Sequence, residues 1–412
     1  MTELQKFFER QFEEIPHLIL QKLIEKKLRA AGINPEPCLV DRIVNHALSS
    51  KLKALQWDDG NNIDSVIALS ISDEDIADAE RMMSRFLASI PHIVENTSTD
   101  IAKTLLKTLK RKWKEEHSLQ EEERRGFRMR LEKRWGRALG MLRMLLTISR
   151  EFGLEIAKSR PPHESHLSNV LLRLHVRACQ ITAEIITLLE NGYADGAMAR
   201  WRTLHEISIV MVLMNEHGEQ LAERYIAHRA VEAKSGKDQY ALCYEQLGLQ
   251  PLNSSEGRDI DEAYDHAIAV YDKEFGGPYG WAAGYVPKGP RGRIGLGEIE
   301  AAAGRAAMAS HYKLASYNVH AGPHALFFRL GLLGEPGFLA GASNAGLTEP
   351  GQNTAVSLTL ASIFLVGDSI NLDNLATMKL LQLLRDEIPC AFAKAERKLQ
   401  ADHVRYSRAK KR

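Results

Sequence analysis

Four ionisable residues lie within about two helical turns of an otherwise apolar segment, ADGAMARWRTLHEISIVMVLM. They are Arg200, Arg202, His205 and Glu206. Because charges are costly to bury unless they are paired or used, the segment predicts either an internal ion pair or a site. A histidine that titrates near neutral pH beside arginines supplies a proton carrier and a cation. Phosphate-ester chemistry without a metal needs both groups.

A helical wheel divides these residues into two sets. At about 100° per residue, Arg202 and Glu206 lie one above the other, and His205 lies about 60° away on the same side. Arg200 points roughly 140° from His205, so it joins the set only by wrapping its side chain or by coming from a second chain. The structural alternative is a buried ion pair between Arg202 and Glu206 that fixes the helix register, with His205 hydrogen-bonded nearby.

A second group of polar residues lies in the sequence SHYKLASYNVHAGPHALFF. Ser316 and His320 are one helical turn apart, Tyr317 and Asn318 adjoin them, and His324 follows the AGPH turn. Residues of these types that converge at a helix end are typical of a site. For Ser316 and Asn318 a helix-capping network is the simpler interpretation.

Both sets of polar residues interrupt helices that are otherwise apolar. Pairing them with each other is the most economical way to satisfy their hydrogen bonds. We therefore predict that Arg202, Glu206, Tyr317 and His320 lie within side-chain reach of one another in a single pocket.

The spacing of apolar residues predicts an all-α fold. They recur every three or four residues along almost the whole chain, whereas the alternation of a strand is rare. A segment rich in glycine and proline, FGGPYGWAAGYVPKGPRGRIGLGEIE, is expected to be irregular. Ser72, with Asp75 three residues later, is expected to cap a helix. Helices are predicted over residues 3–30, 36–57, from 72, from 99 or 100 to 157, 165–190, 195–216, 219–247, 297–320, 351–373 and from 374 onward.

The proline pair in SRPPHES is expected to end the long charged helix and to mark a domain boundary. Beyond it the helices carry fewer charges per turn, which indicates a more buried domain. We expect a helical, charge-rich region over residues 1–160, a compact helical domain over 161–390 and a basic tail over 391–412.

Composition excludes several classes of protein. The 412 residues include 54 Lys and Arg against 53 Asp and Glu, so the net charge gives no argument for a polyanionic partner. The four cysteines form no CxxC pair, which speaks against a zinc ribbon and a disulfide framework and favours a reducing cytoplasm. The N-terminus lacks the apolar core of a signal peptide, and no segment reaches the roughly 20 apolar residues of a membrane span. We expect a cytoplasmic protein without membrane contact.

Two stretches carry a local excess of positive charge. Residues 103–137 hold 13 Lys or Arg and six Asp or Glu, and residues 394–412 hold eight against two. Clustered cations can follow a phosphate backbone. Charged runs of this kind, with KEEH followed by EEER, are also typical of solvated helix faces, so both interpretations stay open.

Four segments, in order NGYADGAMARWRTLHE, ERYIAHRAVEAK, YGWA and YKLASYNVHAGPHA, resemble the bacterial family DUF5677, a domain of unknown function. The resemblance covers roughly residues 167–328 and leaves out the N-terminal helical region. It implies a helical fold and association with mobile or defence loci, without an established reaction. The residues that match recurrent positions of that family are Arg202, Glu206, Tyr225, Tyr279 to Ala282, Ser316 and His320.

A second resemblance concerns mechanism. Arg200 to His205 reads R-x-x-x-x-H and resembles the motif of HEPN domains, which are helical bundles found in many RNA-cutting toxins and defence nucleases. The resemblance implies that the histidine moves the proton of a ribose 2′-hydroxyl and the arginine holds the scissile phosphate, without a metal, at a dimer interface. Trp201 stands where a small polar residue often follows the arginine. His320 is then the candidate for the second group of the site.

The leading hypothesis is a HEPN-like bundle that acts as a metal-independent endoribonuclease or toxin in phage defence or a toxin–antitoxin system, with RNA as substrate and no cofactor. Because Arg200 points away from its own His205, we expect a homodimer whose two-fold axis passes near this helix, and an operon-encoded protein partner. The expected catalytic residues are His205, Arg200, Arg202, Glu206 and His320. The expected substrate-binding residues are Tyr317, Asn318 and His324.

Two other functions compete with this hypothesis. The first is a non-catalytic helical adaptor or regulator in which Arg202, Glu206 and His320 form a structural network. The second is a metal hydrolase that would use His205, Glu206, His320 and His324, although no HExxH motif or HD pair is present.

Overall fold

The computed structural model describes residues 3–49, 69–160, 163, 165–333, 337–367 and 371–410. These residues form helices and no strand, so the predicted all-α class is confirmed. No helix in these ranges combines the length and the apolar character needed to cross a bilayer. In chain order the α-helices are α1 (Glu3–Ala30), α2 (Pro37–Leu48), α3 (Asp73–Ser159), α4 (His166–Glu190), α5 (Ala194–Ala227), α6 (Arg229–Cys243), α7 (Ser254–Tyr271), α8 (Leu296–Ala302), α9 (Ala309–Tyr317), α10 (Pro323–Phe327), α11 (Thr348–Ile363) and α12 (Leu372–Lys410).

The chain divides into two compact units, residues 1–119 and 120–412. The division falls inside α3, earlier in the chain than the boundary expected at the proline pair. That pair, Pro161 and Pro162, lies outside the described residues, and α3 ends just before it at Ser159. The assignment of separate domains on either side of the proline pair stays a prediction.

The first unit joins α1 and α2 through a small apolar cluster. Its buried side chains are Ile24, Leu28, Val40 and Val44. At the start of α3, the Asp75 N–H donates to Ser72 Oγ at 3.4 Å, and the Asp75 carboxylate accepts from the Ser72 N–H at 2.8 Å. The predicted capping at Ser72 is therefore confirmed. The helix predicted over residues 36–57 ends at Leu48, and residues 50–57 lie outside the described part of the chain.

Helix α5 is central to the second unit because it packs against both α4 and α11. Its apolar side chains explain the near-continuous apolar sequence, since Leu204, Leu213 and Met214 are fully buried. Trp201 is also fully buried, and its indole N–H donates to Ser357 Oγ of α11 at 3.0 Å. The one polar atom of this ring is thus satisfied, which permits its burial.

Gly218 interrupts the helical geometry of α5. Its φ of 68° and ψ of −147° form a backbone shape that residues with a side chain rarely adopt. The next residue, Glu219, accepts hydrogen bonds from the N–H groups of His166 and Leu167 at 2.7 and 2.9 Å and so caps α4. Burial raises the pKa of Glu219, but these hydrogen bonds outweigh it and leave the pKa below its usual value. The helix break predicted between residues 216 and 219 is this kink, across which α5 continues.

Several predicted helices of the second unit have the wrong bounds. The helix predicted over 297–320 is divided into α8 and α9 because Gly304, with a φ of 65°, turns the chain between them. The helix predicted over 219–247 is divided after Ala227. Helix α7 was missed because Ala267 is its one buried residue, which leaves little apolar periodicity to detect.

Replacing Gly218 by alanine tests the kink. Gly218→Ala forces a Cβ into the left-handed region, so the free energy of unfolding should fall by about 1 kcal/mol or more. Gly236→Ala is the matched control, because Gly236 lies within α6 with open space around its Cα. That substitution should raise the free energy of unfolding by about 0.5 to 1 kcal/mol. Thermal unfolding followed by circular dichroism compares the two, and equal shifts, or a Gly218→Ala variant as stable as the unaltered chain, would contradict the assigned strain.

Candidate functional site

Arg200, Arg202, His205 and Glu206 of α5 each meet a partner, and the partners come from different helices. Arg200 points towards α4, where its guanidinium forms an ion pair with Glu184. It also lies 3.5 Å from Thr203 Oγ1. Both partners of this ion pair are partly exposed. Arg200 is therefore directed away from His205, which is the direction that the helical wheel predicts.

His205 forms a buried pair with Glu300 of α8. The imidazole Nε2 lies 2.8 Å from Glu300 Oε1, and the two side chains are 3% and 4% exposed. One face of the imidazole stacks on Trp201 at 5.1 Å between ring centroids, and the ring of Tyr312 lies 6.0 Å away. The hydrogen bond satisfies both polar groups, which makes their burial tolerable.

A third set of contacts joins Arg202, Glu206 and Tyr312 of α9, and we call these three residues the Arg–Tyr–Glu cluster. The Tyr312 hydroxyl accepts a hydrogen bond from Arg202 Nη2 and donates one to Glu206 Oε1. The direct distance from Arg202 Nη2 to Glu206 Oε1 is 3.9 Å, and the guanidinium carbon lies 4.5 Å from the centre of the Tyr312 ring. The side chains of Arg202 and Glu206 are 20% and 39% exposed, so this cluster reaches solvent.

The electrostatics of the cluster keep Tyr312 protonated. Burial raises the pKa of its hydroxyl, the Glu206 carboxylate raises it further, and Arg202 opposes the shift without cancelling it. The hydroxyl is therefore a hydrogen-bond donor at neutral pH. Among the described residues, Arg202 Nε is buried and has no hydrogen-bond partner, so part of the bonding capacity of this guanidinium is unused.

Aromatic residues surround the cluster. Burial raises the pKa of Tyr279, and the nearby charge of Glu206 adds to the shift. Burial also raises the pKa of Tyr225, with smaller contributions from Glu232 and Glu206. The ring of Trp281 meets Tyr225 edge-on at 5.1 Å. Tyr225 and Tyr279 are thus both close enough to Glu206 for its charge to affect them.

The second polar segment contributes a different residue from the one expected. Arg202 and Glu206 contact Tyr312, which lies five residues before Tyr317. Tyr317 is about 140° further round α9, so the two tyrosines point to different sides of this helix. The structure joins α5 to α9 through Tyr312, and a single pocket that Arg202 and Glu206 share with Tyr317 and His320 stays a prediction.

The remaining residues of that segment lie at or beyond the end of α9. Ser316 Oγ donates to the carbonyl of Tyr312 at 2.8 Å, a bond within the helix. Asn318 is the residue that ends α9. His320 is exposed in the following turn, and the ring of His324 lies 4.3 Å from the ring of Tyr317.

Sequence reasoning missed Glu300, Tyr312 and Glu184. Tyr312 has a detectable signal, because it lies one turn before Ser316 and therefore shares its helix face. Glu300 has a weaker one, since it lies between the buried residues Ile299 and Ala303 on a short helix. The position of Glu184 on α4 gives no indication that it meets Arg200.

The geometry does not gather a ligand set for a metal. Within the described ranges, no group of three or more His, Cys, Asp or Glu side chains is placed to hold a metal ion. The four residues considered for a metal hydrolase, His205, Glu206, His320 and His324, are accordingly not assembled in one set.

Residues 168–337 match the family described as "Family of unknown function (DUF5677)". The resemblance expected over roughly residues 167–328 is therefore confirmed, whereas the resemblance to HEPN domains stays a prediction. The matched range contains the Arg–Tyr–Glu cluster and the pair of His205 and Glu300. No curated protein and no solved structure matches the chain.

The buried pair of His205 and Glu300 should dominate the local stability. Glu300→Ala leaves the imidazole without its partner, so the free energy of unfolding should fall by about 3 kcal/mol. Glu184→Ala is the control, because it removes a carboxylate from the partly exposed ion pair with Arg200 and should change the free energy by less than about 1 kcal/mol. Denaturant unfolding of the full chain measures both values.

A double variant tests the origin of that loss. In His205→Phe with Glu300→Leu, both polar partners are replaced by apolar groups, so much of the stability should return. The single variants for comparison are His205→Phe and Glu300→Leu. If the double variant loses as much free energy of unfolding as these two losses added together, the pair does not act as one unit.

Proposed function

We propose that this chain, whose DUF5677 segment carries the Arg–Tyr–Glu cluster, is a metal-independent endoribonuclease. The observation that supports the proposal is the hydrogen-bonded arrangement of a guanidinium, a phenol and a carboxylate at the edge of solvent. A carboxylate can take a proton, and a guanidinium can hold a phosphate and stabilise charge that develops on it. The buried pair of His205 and Glu300 lies behind the cluster and holds α5 and α8 in place.

The proposed reaction is transfer of the RNA phosphate to the neighbouring 2′ oxygen. Glu206 takes the proton of the 2′-hydroxyl, and the 2′ oxygen attacks the phosphorus. The bond from phosphorus to the 5′ oxygen breaks, and that oxygen takes a proton from solvent. The products are a 2′,3′-cyclic phosphate and a 5′-hydroxyl. Arg202 neutralises the charge on the non-bridging oxygens, and Tyr312 donates its proton in a hydrogen bond to one of them.

The reacting groups in this proposal differ from the Arg200 and His205 of the R-x-x-x-x-H pattern. Within one chain these two side chains are bound to Glu184 and Glu300 on different helices. Because His205 is buried, we assign it a positioning role: it stacks on Trp201 and lies against Tyr312.

The biological setting that we propose is bacterial defence or a toxin–antitoxin system, with an operon-encoded partner that controls the enzyme. A homodimer is part of the proposal, because two-fold symmetry would bring the partly exposed Arg200 surfaces of two chains together. Expression of the active enzyme alone should then arrest growth.

A second candidate function is a non-catalytic adaptor. The observation in its favour is that Arg200, Arg202, His205 and Glu206 each have a partner within the chain. In that case the cluster acts as a structural lock, and its loss should lower the unfolding temperature and leave RNA intact.

Cleavage of a fluorescent single-stranded RNA in the presence of EDTA tests the proposal. The unaltered chain should cleave it and leave a cyclic phosphate end. Glu206→Gln and Arg202→Lys should each reduce the rate about a hundredfold to a thousandfold, because each removes a contact made to the transition state. Arg143→Lys is the matched control, since Arg143 forms an exposed ion pair with Glu190 in the same unit. It should cleave at the unaltered rate.

Three results separate the hypotheses. If Arg200→Lys reduces the cleavage rate as much as Arg202→Lys does, Arg200 and His205 of the R-x-x-x-x-H pattern are favoured as the reacting residues instead. Cleavage that EDTA abolishes would contradict a metal-independent mechanism. If the unaltered chain cleaves no RNA, and Glu206→Gln lowers the unfolding temperature, the adaptor is favoured.

A further inference from the structure

An exposed apolar surface follows α9. Leu326 and Phe327 of α10 are 73% and 87% exposed, and the neighbouring side chains of Val319 and Phe328 are also exposed. Contiguous exposed apolar groups of this size usually mark a binding surface. Phe327 in particular contributes a large ring that the second unit leaves in solvent.

Four side chains beside this surface form a continuous row, which we call the stacking row: Lys313, Tyr317, His324 and Phe328. Lys313 Nζ lies 5.8 Å from the centre of the Tyr317 ring. The ring centroids of Tyr317 and His324 are 4.3 Å apart, and those of His324 and Phe328 are 5.5 Å apart at an angle of 24°. The three rings of the row therefore pack on one another with a cation at one end, which leaves the outer faces of the row for a further ring.

The sequence around the stacking row contains basic residues and no acidic ones. Residues 301–334 contain no Asp or Glu. Two of the basic residues in this stretch contact acids from outside it, because His311 Nδ1 lies 2.9 Å from Glu349 Oε1 and Arg329 Nε lies 3.1 Å from Asp195 Oδ2. The basic residues of the stretch are Arg305, His311, Lys313, His320, His324 and Arg329.

We infer that the stacking row and Phe327 bind single-stranded RNA. Bases stack on Phe327 and on the outer faces of Tyr317 and Phe328, and phosphates meet Lys313 and His320. Aromatic rings next to cations, without acids, suit a single strand, because every base has a face that can stack and every phosphate is negative. A duplex fits worse, since its bases are already stacked on one another.

The inference rests on the proposed function, because the stacking row and the Arg–Tyr–Glu cluster share one helix. Lys313 and Tyr317 lie on α9 together with Tyr312, and a helix of nine residues is about 13.5 Å long. Since Tyr317 lies about 140° round α9 from Tyr312, an RNA strand held on the row has to pass round this helix for its next phosphates to reach Arg202.

Fluorescence anisotropy with a labelled 2′-O-methyl oligoribonucleotide of 12 nucleotides measures binding without cleavage, because a methylated 2′ oxygen cannot attack the phosphate. Tyr317→Ala and Phe327→Ala should each raise the Kd about tenfold, the effect of one lost base stack. Leu242→Ala is the matched control, since Leu242 is a large exposed apolar residue on α6. It should leave the Kd unchanged. Lys313→Gln should reduce the slope of log Kd against log salt by about 0.7.

Several outcomes would overturn the inference. The first is an unchanged Kd in both aromatic variants, each with the unfolding temperature of the unaltered chain. The second is a Kd for duplex RNA equal to or below that for the single strand. The third is a Phe327→Ala variant that turns a dimer into a monomer by light scattering while its Kd for RNA stays the same, since Phe327 then belongs to a protein interface.

The binding and cleavage experiments can fail separately. If the stacking row binds RNA and the chain cleaves none, the proposed ribonuclease fails and the RNA-binding surface stands. If Glu206→Gln abolishes cleavage and neither Tyr317→Ala nor Phe327→Ala changes the Kd, the proposed ribonuclease stands and the RNA-binding surface fails.

Discussion

Burial of α5 is the constraint on which the second unit depends. Its apolar side chains pack against α4 and α11, and the first half of the same helix carries Arg200, Arg202, His205 and Glu206 among them. An unpaired charge in such a place would cost more than the surrounding apolar contacts contribute. Each ionisable group is therefore matched from outside the helix, and every match ties down another element. Glu300 fixes α8, Tyr312 fixes α9 and Glu184 adds to the packing of α4.

The three matches differ in exposure, and the difference separates structural from reactive groups. The pair of His205 and Glu300 is closed to solvent, which suits an anchor and hinders access by a substrate. The ion pair of Arg200 with Glu184 is partly exposed, and an ion pair of this kind alone contributes little fixed geometry. Arg202 and Glu206 are also partly exposed, and the hydroxyl of Tyr312 bridges them and fixes their positions. Fixed geometry together with access is the combination that catalysis requires.

Part of this arrangement could be predicted from the sequence. Helical spacing was enough for the fold class, and the wheel placed Arg202 with Glu206 and turned Arg200 away, because these relations are local to one helix. Tyr312 is less evident from residue types alone, because Tyr317, Asn318, His320 and His324 also lie in or after α9, and only its position one turn before Ser316 indicates its face. Glu300 was not predictable, because it comes from a segment 95 residues away and its position depends on irregular backbone. Local rules do not encode pairing of that kind.

That irregular backbone is fixed by contacts, which explains how Glu300 reaches His205. Beyond the kink at Gly218, Arg224 donates to the carbonyls of Gly280 and Trp281, both at 3.2 Å. Gly280 cannot carry a side chain, because a Cβ there would lie 2.0 Å from the carbonyl oxygen of Phe275. The second half of α5 thus holds the start of the glycine-rich segment, and α8 follows at its end. The kink directs Arg224 towards this segment while the first half of α5 keeps His205 in the core, so both ends of the pair are positioned by one helix.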